Sequence, residues 1–395
     1  MSSLRILFLT AHLPVLGIHG GGARMFHNLR ILAEKHQVTL LSFFEHDGEK
    51  ERLPQLARLN ITVKLVRRLP RAPRDLLLPK PHEHDEYASA EMSALVEETL
   101  AAESYDVVQA EFFQMGQHVP TSGSFLRILT EHEIHFENFR AAAEAERSWL
   151  PKAKKTYDWL VQLNYEARIC DRFDRVVCMT PQDAQVLQRF VEGAKLRVIP
   201  IGVDSDYFCR RTSLGERNGP PRLLYVGNYR HIPNQEAVIY FATEIFPSVR
   251  SQVPETEFWI VGAGTDLLRL PLQGLPGIVL SGFVDDLRTS YENADIFVAP
   301  IRTGTGMRVK LLEAFSMGMP VVASTLATYG FSAKPEVEFL AADTPDFFAE
   351  QTVSLLKDAP KRYLLGSNAR NLIRTKCDWN VLRPLFWDLV ETHES

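Results

Sequence analysis

The chain has 395 residues, 45% of them hydrophobic and 24% charged, and carries a net charge of −5. That length implies two or three domains with large cores. The charge gives no basis for wrapping nucleic acid, and no apolar run approaches the roughly 20 residues of a membrane-spanning helix. The four cysteines, Cys170, Cys178, Cys209 and Cys377, contain no C-x-x-C pair, which fits a reducing cytoplasm and not a structural zinc site.

The N-terminal apolar run is strand-length and leads into His12, Pro14 and glycines, so it reads as a first strand, Leu4 to Ala11, and not as a signal peptide. Gly17 to Arg24 follows as a glycine loop opening a helix over Ala23 to Lys35. Its spacing misses G-x-G-x-x-G, although Glu45 lies after the second strand where a dinucleotide fold keeps its ribose acid. Gly21 and Gly22 admit two readings, a close backbone approach to a pyrophosphate or sugar, or a simple tight turn. Further strands are predicted over Val38 to Phe44, Ile61 to Val66, Asp106 to Ala110, Phe125 to Thr130, Arg175 to Met179 and Val198 to Ile201. Between them lie helical stretches at Ala88 to Ala102, Phe136 to Arg147, Tyr157 to Phe173 and Pro181 to Phe190. Such alternation indicates a parallel sheet covered by helices on both faces.

Two segments of this half stand out. Lys64 to Lys80 carries six cations against Asp75 and includes Leu76-Leu77-Leu78. It reads either as a solvated loop or as a contact with an anionic membrane surface. Glu131-His132-Glu133-Ile134-His135 follows a strand directly; the spacing of His132 and His135 is half of a metal site, but nothing completes it.

A break follows at Gly202-Val203-Asp204, and Arg210 to Pro221 has a linker composition. The alternation then restarts, with strands over Leu223 to Val226, Phe258 to Val261, Ile278 to Leu280, Ile296 to Ala299, Val321 to Ala323 and Phe339 to Ala341. Helices are predicted over Asn234 to Val249, Val309 to Met317, Thr344 to Lys357 and Val381 to Thr392. Two doubly wound halves would bound a cleft with their C-terminal strand ends. The expected domains are 1–202, 203–378 and a C-terminal helix within 379–395 that packs back on the first domain.

The richest stretch is Ala299 to Ser324, where a strand, a loop with Gly304 and Gly306, and a helix carrying Arg308, Lys310 and Glu313 come together. Free N–H groups at that helix start favour a pyrophosphate. Arg308 and Lys310 are placed for phosphate oxygens, and Glu313 for the vicinal hydroxyls of a ribose. After the first strand of this half, Gly227-Asn228-Tyr229-Arg230 offers a cation for a diphosphate, and Asn234 is a good helix cap. Backbone groups at Phe283 and Val284 can read a base edge, with Gly262 leaving room beneath it.

Taken in order, the glycine loop, Tyr165-Glu166 to Thr180 and Asp183, Val198 to Asp204, Val226-Gly227-Asn228 with Pro233-Asn234, Phe258 to Gly264, Gly282-Phe283-Val284 and Lys310 to Ser324 resemble the retaining glycosyltransferases of family 4, the glycosyl transferases group 1 class. The resemblance implies the GT-B fold, an α/β arrangement of two Rossmann-like parallel-sheet domains facing a central cleft. It implies transfer of a sugar from a nucleotide diphosphate to a hydroxyl acceptor with retention, with no metal and no cofactor beyond the nucleotide sugar. On that resemblance Arg230 and Lys310 stabilise the leaving diphosphate, Glu313 holds the ribose, Phe283 the base, and His132 a sugar hydroxyl. The donor-binding set is completed by Gly21, Gly22, Gly227, Asn228, Gly262, Val284, Gly304, Thr305, Gly306, Met307 and Arg308. One departure concerns Thr305, where the family often has a glutamate; donor preference cannot be carried over from typical members. The implied setting is polysaccharide or glycoconjugate assembly in the cytoplasm or at the inner face of the membrane. A nucleotide-sugar epimerase and a non-catalytic nucleotide-sugar-binding protein are the competing readings.

Overall fold

The computed structural model describes residues 3–16, 20–69, 81–191, 195–210, 219–304 and 306–392. The chain folds into two compact units, one of residues 1–200 with 383–395 and the other of residues 201–382.

The first unit holds strands β1 (Arg5–Thr10), β2 (Gln37–Phe44), β3 (Thr62–Arg67), β4 (Val107–Glu111), β5 (Leu126–Glu131), β6 (Arg175–Cys178) and β7 (Lys195–Val198). Its helices are α1 (Gly20–Ala33), α2 (Pro54–Ala57), α3 (His82–Tyr87), α4 (Ala90–Ala102), α5 (His135–Ala145), α6 (Trp149–Asp171) and α7 (Pro181–Leu187). All strands pair in parallel in the order β3-β2-β1-β4-β5-β6-β7. Ile6 to Leu9 and Val107 to Ala110 are continuously buried, as central parallel strands covered on both faces must be. The last strand lies over Lys195–Val198 and not over Val198 to Ile201. Ile199 still donates to the carbonyl of Cys178, but Pro200 has no N–H to continue the ladder.

In the second unit β8 (Arg222–Val226), β9 (Glu257–Val261), β10 (Ile278–Gly282), β11 (Ile296–Ala299), β12 (Val321–Ala323) and β13 (Leu340–Ala341) form a second parallel sheet, ordered β10-β9-β8-β11-β12-β13. The helices are α8 (Ile232–Tyr240), α9 (Phe246–Gln252), α10 (Leu287–Glu292), α11 (Val309–Ser316), α12 (Pro345–Lys357) and α13 (Ala359–Leu372), and α14 (Trp379–Glu391) starts here but from Arg383 belongs to the first unit. The single helix expected over Asn234 to Val249 is divided by a π turn at Phe241–Ile245, just ahead of Pro247, which cannot donate to the helical ladder. Arg210, in the expected linker, is docked within this unit, its guanidinium on the carbonyls of Tyr291, Glu292 and Ala294; residues 211–218 lie outside the described set.

In each sheet the strand order reverses once, between β1 and β4 and between β8 and β11. The crevice beyond the carboxyl ends of the strands at such a reversal is where open α/β sheets take ligands. Both clusters described next lie at these two points.

Candidate active site

In the second unit, the loop after β8 and the loop after β11 are tied together by one polar cluster. Lys310, on the first turn of α11, places Nζ 2.6 Å from Asn234 Oδ1 and 3.0 Å from the Tyr225 hydroxyl, and 4.3 Å from the centre of the Tyr225 ring. The Tyr225 hydroxyl also donates to Asn234 Oδ1 at 2.9 Å. Asn234 Nδ2 passes the connection on to the Asn228 carbonyl at 2.8 Å, and Asn228 Oδ1 accepts from the backbone N–H of Arg230 at 3.0 Å. Asn234 is therefore inside the first turn of α8, linking two loops, and is not that helix's cap. Burial, with Arg308 adding to the effect and Glu313 opposing it, lowers the Lys310 ammonium to about 7.

Glu313 lies one turn further along α11 and accepts from the Tyr291 hydroxyl at 2.9 Å. Burial raises its carboxyl to about 7 against the pull of Tyr291 and Lys310. Arg308 spends two N–H groups on its own loop, donating to the carbonyls of Gly304 and Gly306, each at 2.9 Å. It braces the loop that the sequence expected it to complement as a phosphate ligand. Met307 is buried beside it. Thr305 lies outside the described residues.

Backbone contact explains the glycines after β8 and β9. Gly227 donates to the Val261 carbonyl, and Gly262 to that of Gly282. A Cβ on Gly262, whose φ is +132°, would stand 1.9 Å from the Gly227 carbonyl oxygen, and one on Gly227 would stand 3.2 Å from Lys310 Nζ. Gly262 is thus held to glycine by the close approach of the neighbouring backbone. Arg230 is exposed, and its guanidinium makes no hydrogen bond or ion pair among the described residues. Phe283 is 60% exposed and Val284 half-buried.

In the first unit, register sets Thr10 opposite Glu111 and Glu111 opposite Thr130 at the carboxyl ends of β1, β4 and β5. Glu111 is fully buried. Its Oε2 lies 2.7 Å from His132 Nε2, and its Oε1 accepts from Gln109 Nε2 at 2.8 Å, Asn28 Nδ2 at 2.9 Å and Thr130 Oγ1 at 3.1 Å. Burial pushes the carboxyl up, but His132, the charge of Arg24 and the Gln109 amide together hold it below its ordinary value. Burial lowers His132, against Glu111, and so keeps the imidazole neutral near pH 7. Arg24 is buried, donates Nη1 to the Pro200 carbonyl at 2.8 Å and is lowered to about 10 by burial. Phe112 stacks on the His132 ring at 3.8 Å and 12° with its own φ at +72°, a conformation that costs an aromatic residue about 1–3 kcal/mol. Gly21 and Gly22, expected in a loop, belong to the first turn of α1.

A second buried carboxylate group lies one layer deeper. Glu166 on α6 accepts from the backbone N–H groups of His135 and Phe136, each at 3.0 Å, and from Gln162 Nε2 at 3.1 Å, so one helix caps the start of another. Glu131 accepts from Cys170 Sγ at 3.4 Å, and its Oε2 has no hydrogen-bond partner among the described residues. His132 and His135 go separate ways, His135 lying 3.7 Å from Glu133. Glu45 is engaged by Arg68, and Lys64 Nζ donates to Thr99 Oγ1 at 3.0 Å; the rest of the expected membrane-contact segment, 70–80, lies outside the described residues. No helix among the described residues is long and apolar enough to cross a membrane.

Sequence reasoning reached Lys310, Glu313, Arg230 and His132 but missed Tyr225, Tyr291 and Glu111. A carboxylate closing the apolar strand Val107–Glu111 was the available sign of the last; the predicted strand had stopped one residue short.

Residues 19–207 match the family described as Glycosyltransferase Family 4, and residues 220–358 match Glycosyl transferases group 1. The phosphatidyl-myo-inositol mannosyltransferase of Mycobacterium tuberculosis is 30% identical over 210 residues, covering 49% of this chain and 53% of its own length; this chain thus spans about half the length of the mannosyltransferases it matches. A 44.6 kDa protein in the cps region of Klebsiella pneumoniae is 20% identical over 390 residues, 95% of this chain and 96% of its own. Among solved structures, sucrose-phosphate synthase from Thermosynechococcus elongatus superposes with a TM-score of 0.73 at 18% identity, covering 98% of each chain. HepE of Anabaena, in complex with UDP and glucose, gives 0.69 at 15% identity over 98% of this chain and 99% of its own. The two family matches take in most of the chain, one on each sheet, and the sheets are those of the GT-B fold: the chain belongs to the family 4, group 1 glycosyl transferases.

Proposed function

We propose that the protein transfers a sugar from a nucleotide diphosphate donor to a hydroxyl acceptor, with retention of configuration and without a resident metal, in polysaccharide or glycoconjugate biosynthesis. The observation that carries this reading is the cluster of Lys310, Tyr225 and Asn234 one turn from Glu313, at the point where the second sheet reverses its strand order. A diphosphate beside Lys310 supplies the negative charge that this buried ammonium lacks, and the Arg230 guanidinium is available to the same group. Ribose hydroxyls donate to Glu313, and His132, in the first unit, offers its ring to a substrate hydroxyl. In the reaction the acceptor oxygen bonds to the anomeric carbon, the bond from that carbon to the phosphate oxygen breaks, and the diphosphate leaves with the electron pair. The acceptor's proton passes to the departing phosphate. Cations fixed in a site of low dielectric act where that charge develops. The names of the relatives, one a mannosyltransferase and one solved with UDP and glucose, support a hexose on a nucleoside diphosphate.

Thermal-shift screening of UDP-, GDP-, ADP- and CMP-sugars identifies the donor, since a ligand of the folded state raises stability with the logarithm of its concentration over Kd. Labelled donor with and without a saccharide or lipid-linked acceptor then reads the reaction. Sugar on the acceptor, in the donor's anomeric configuration and undiminished by EDTA, is the expected result. Donor epimerised with no acceptor present, or binding with no turnover on any acceptor, overturns it.

A further inference from the structure

We infer that Glu111 is the positioning residue for His132: it fixes the imidazole with its proton on Nε2, so that Nδ1 is left as a hydrogen-bond acceptor for a substrate hydroxyl. The chemistry of the two partners requires the first part. An ionised carboxylate can only accept, so the ring nitrogen 2.7 Å from Oε2 must be the donor. Glu111 is held ionised by three donors on its other oxygen, from α1, β4 and β5, and by Arg24, whose charge offsets it. The bond to His132 itself contributes most to holding Glu111 low, and burial lowers the imidazole and keeps the ring neutral.

The second part follows from what is left over. Nε2 is committed to Glu111, and Nδ1 makes no hydrogen bond among the described residues. Phe112, the residue after Glu111, lies flat on the ring and fixes its plane. Its N–H donates to the Thr130 carbonyl at 2.9 Å, which ties it to the strand that leads into His132. Two consecutive side chains at the end of β4 thus set the tautomer and the orientation of one ring. A purely structural buried pair would need neither the strained Phe112 backbone nor the surplus of donors on Glu111.

The test rests on the transfer reaction proposed above only for its kinetic arm. Glu111→Gln keeps the shape of the side chain but gives it one oxygen and one NH2. With its oxygen turned to Asn28, Gln109 and Thr130, the amide presents N–H to His132 Nε2, and the ring proton must move to Nδ1. Nitrogen-15 NMR of histidine-labelled full-length protein should show His132 protonated on Nε2 in the wild type and on Nδ1 in E111Q. In the transfer assay E111Q should lose on the order of 10- to 10,000-fold in kcat, while nucleoside diphosphate affinity, set in the other unit, stays within about twofold. A wild-type ring protonated on Nδ1 overturns the assignment whether or not E111Q folds. So does E111Q with wild-type tautomer and kcat. Wild-type protein with the Nε2 tautomer but no transfer on any acceptor would sink the proposed reaction and leave the tautomer assignment standing.

Discussion

Lys310 and Glu313 stand one turn apart on α11, and burial drives both towards neutrality, the ammonium down to about 7 and the carboxyl up to about 7. Ligand binding must reverse both shifts. A diphosphate favours the charged lysine, so above pH 7 binding takes up a proton and affinity falls as pH rises. Hydroxyl donors favour the carboxylate, so below pH 7 binding releases a proton and affinity falls as pH drops. Each limb approaches tenfold per pH unit. Calorimetric titration with the nucleoside diphosphate should therefore give a maximum near pH 7, with the alkaline limb missing in Lys310→Gln and the acid limb missing in Glu313→Gln. A lost charge-assisted hydrogen bond of this kind is worth about 1.5–3 kcal/mol, so each variant should also bind roughly 10- to 100-fold more weakly at the optimum; a flat profile in the wild type would contradict the assignment. Lys310 and Glu313 were legible in the sequence because glycines, cations and a carboxylate fell at one strand-to-helix junction. Their partners were not. Tyr225 sits in an apolar run where a buried hydroxyl looks like any core aromatic, Tyr291 sits in the polar helix Leu287–Glu292 where nothing marks it as buried, and Glu111 meets His132 only because β4 pairs with β5 across 21 residues of sequence.

At the scale of elements, the parallel strands were readable because each is a short apolar run between helical stretches, whereas strand order and end-to-end contacts were not. Gly262 shows why: its role is set by the carbonyl of Gly227, on a neighbouring strand end, and no local pattern announces that contact. The start of α5 is a similar case, since its cap comes from Glu166, thirty residues on. Glu166 and Glu131 are both raised by burial, Glu166 to about 7 and Glu131 well above the ordinary range. Three donors converge on Glu166, while Glu131 has a thiol and an oxygen with no partner among the described residues, so burial raises Glu131 further and the proton is assigned to Glu131. Glu166→Gln must set an NH2 against an N–H donor and should cost about 1–3 kcal/mol in urea unfolding at pH 7. Glu131→Gln mimics the protonated acid and should cost under about 1 kcal/mol. A carboxyl raised in the native state makes stability decline as pH climbs from its unfolded value towards its native one, and E131Q should flatten that decline. Equal losses in the two variants would reverse the assignment of the proton.

For the whole molecule, the two family matches fall one on each sheet, but the chain does not divide there in a single cut. Helix α14 begins in the second unit, where Val203 bridges to Asp378 just ahead of it, and from Arg383 onward belongs to the first. Pro384 lies at that change of allegiance. Beyond it Phe386, Leu389 and Val390 are buried, Trp387 Nε1 donates to the Ile31 carbonyl at 3.0 Å, Arg383 pairs with Glu34 at 3.3 Å, and Arg175 donates to the carbonyls of Leu389 and Thr392. Three buried apolar side chains at roughly 1.5–3 kcal/mol each are a large share of the roughly 5–15 kcal/mol that holds a domain folded. Deleting residues 383–395 should therefore lower the melting of the first unit alone. The donor nucleotide, whose proposed contacts at Lys310, Glu313 and Arg230 all lie in the second unit, should raise the melting of that unit alone, by about 2.7 kcal/mol at a hundred times Kd. Differential scanning calorimetry of the intact and shortened chains, with and without nucleoside diphosphate, reads both effects at once. Two transitions that answer separately, one to the deletion and one to the ligand, are expected. A single transition moved by both would mean that the two units melt as one, and that the residues after Leu382 stabilise the donor site as much as the sheet they cover.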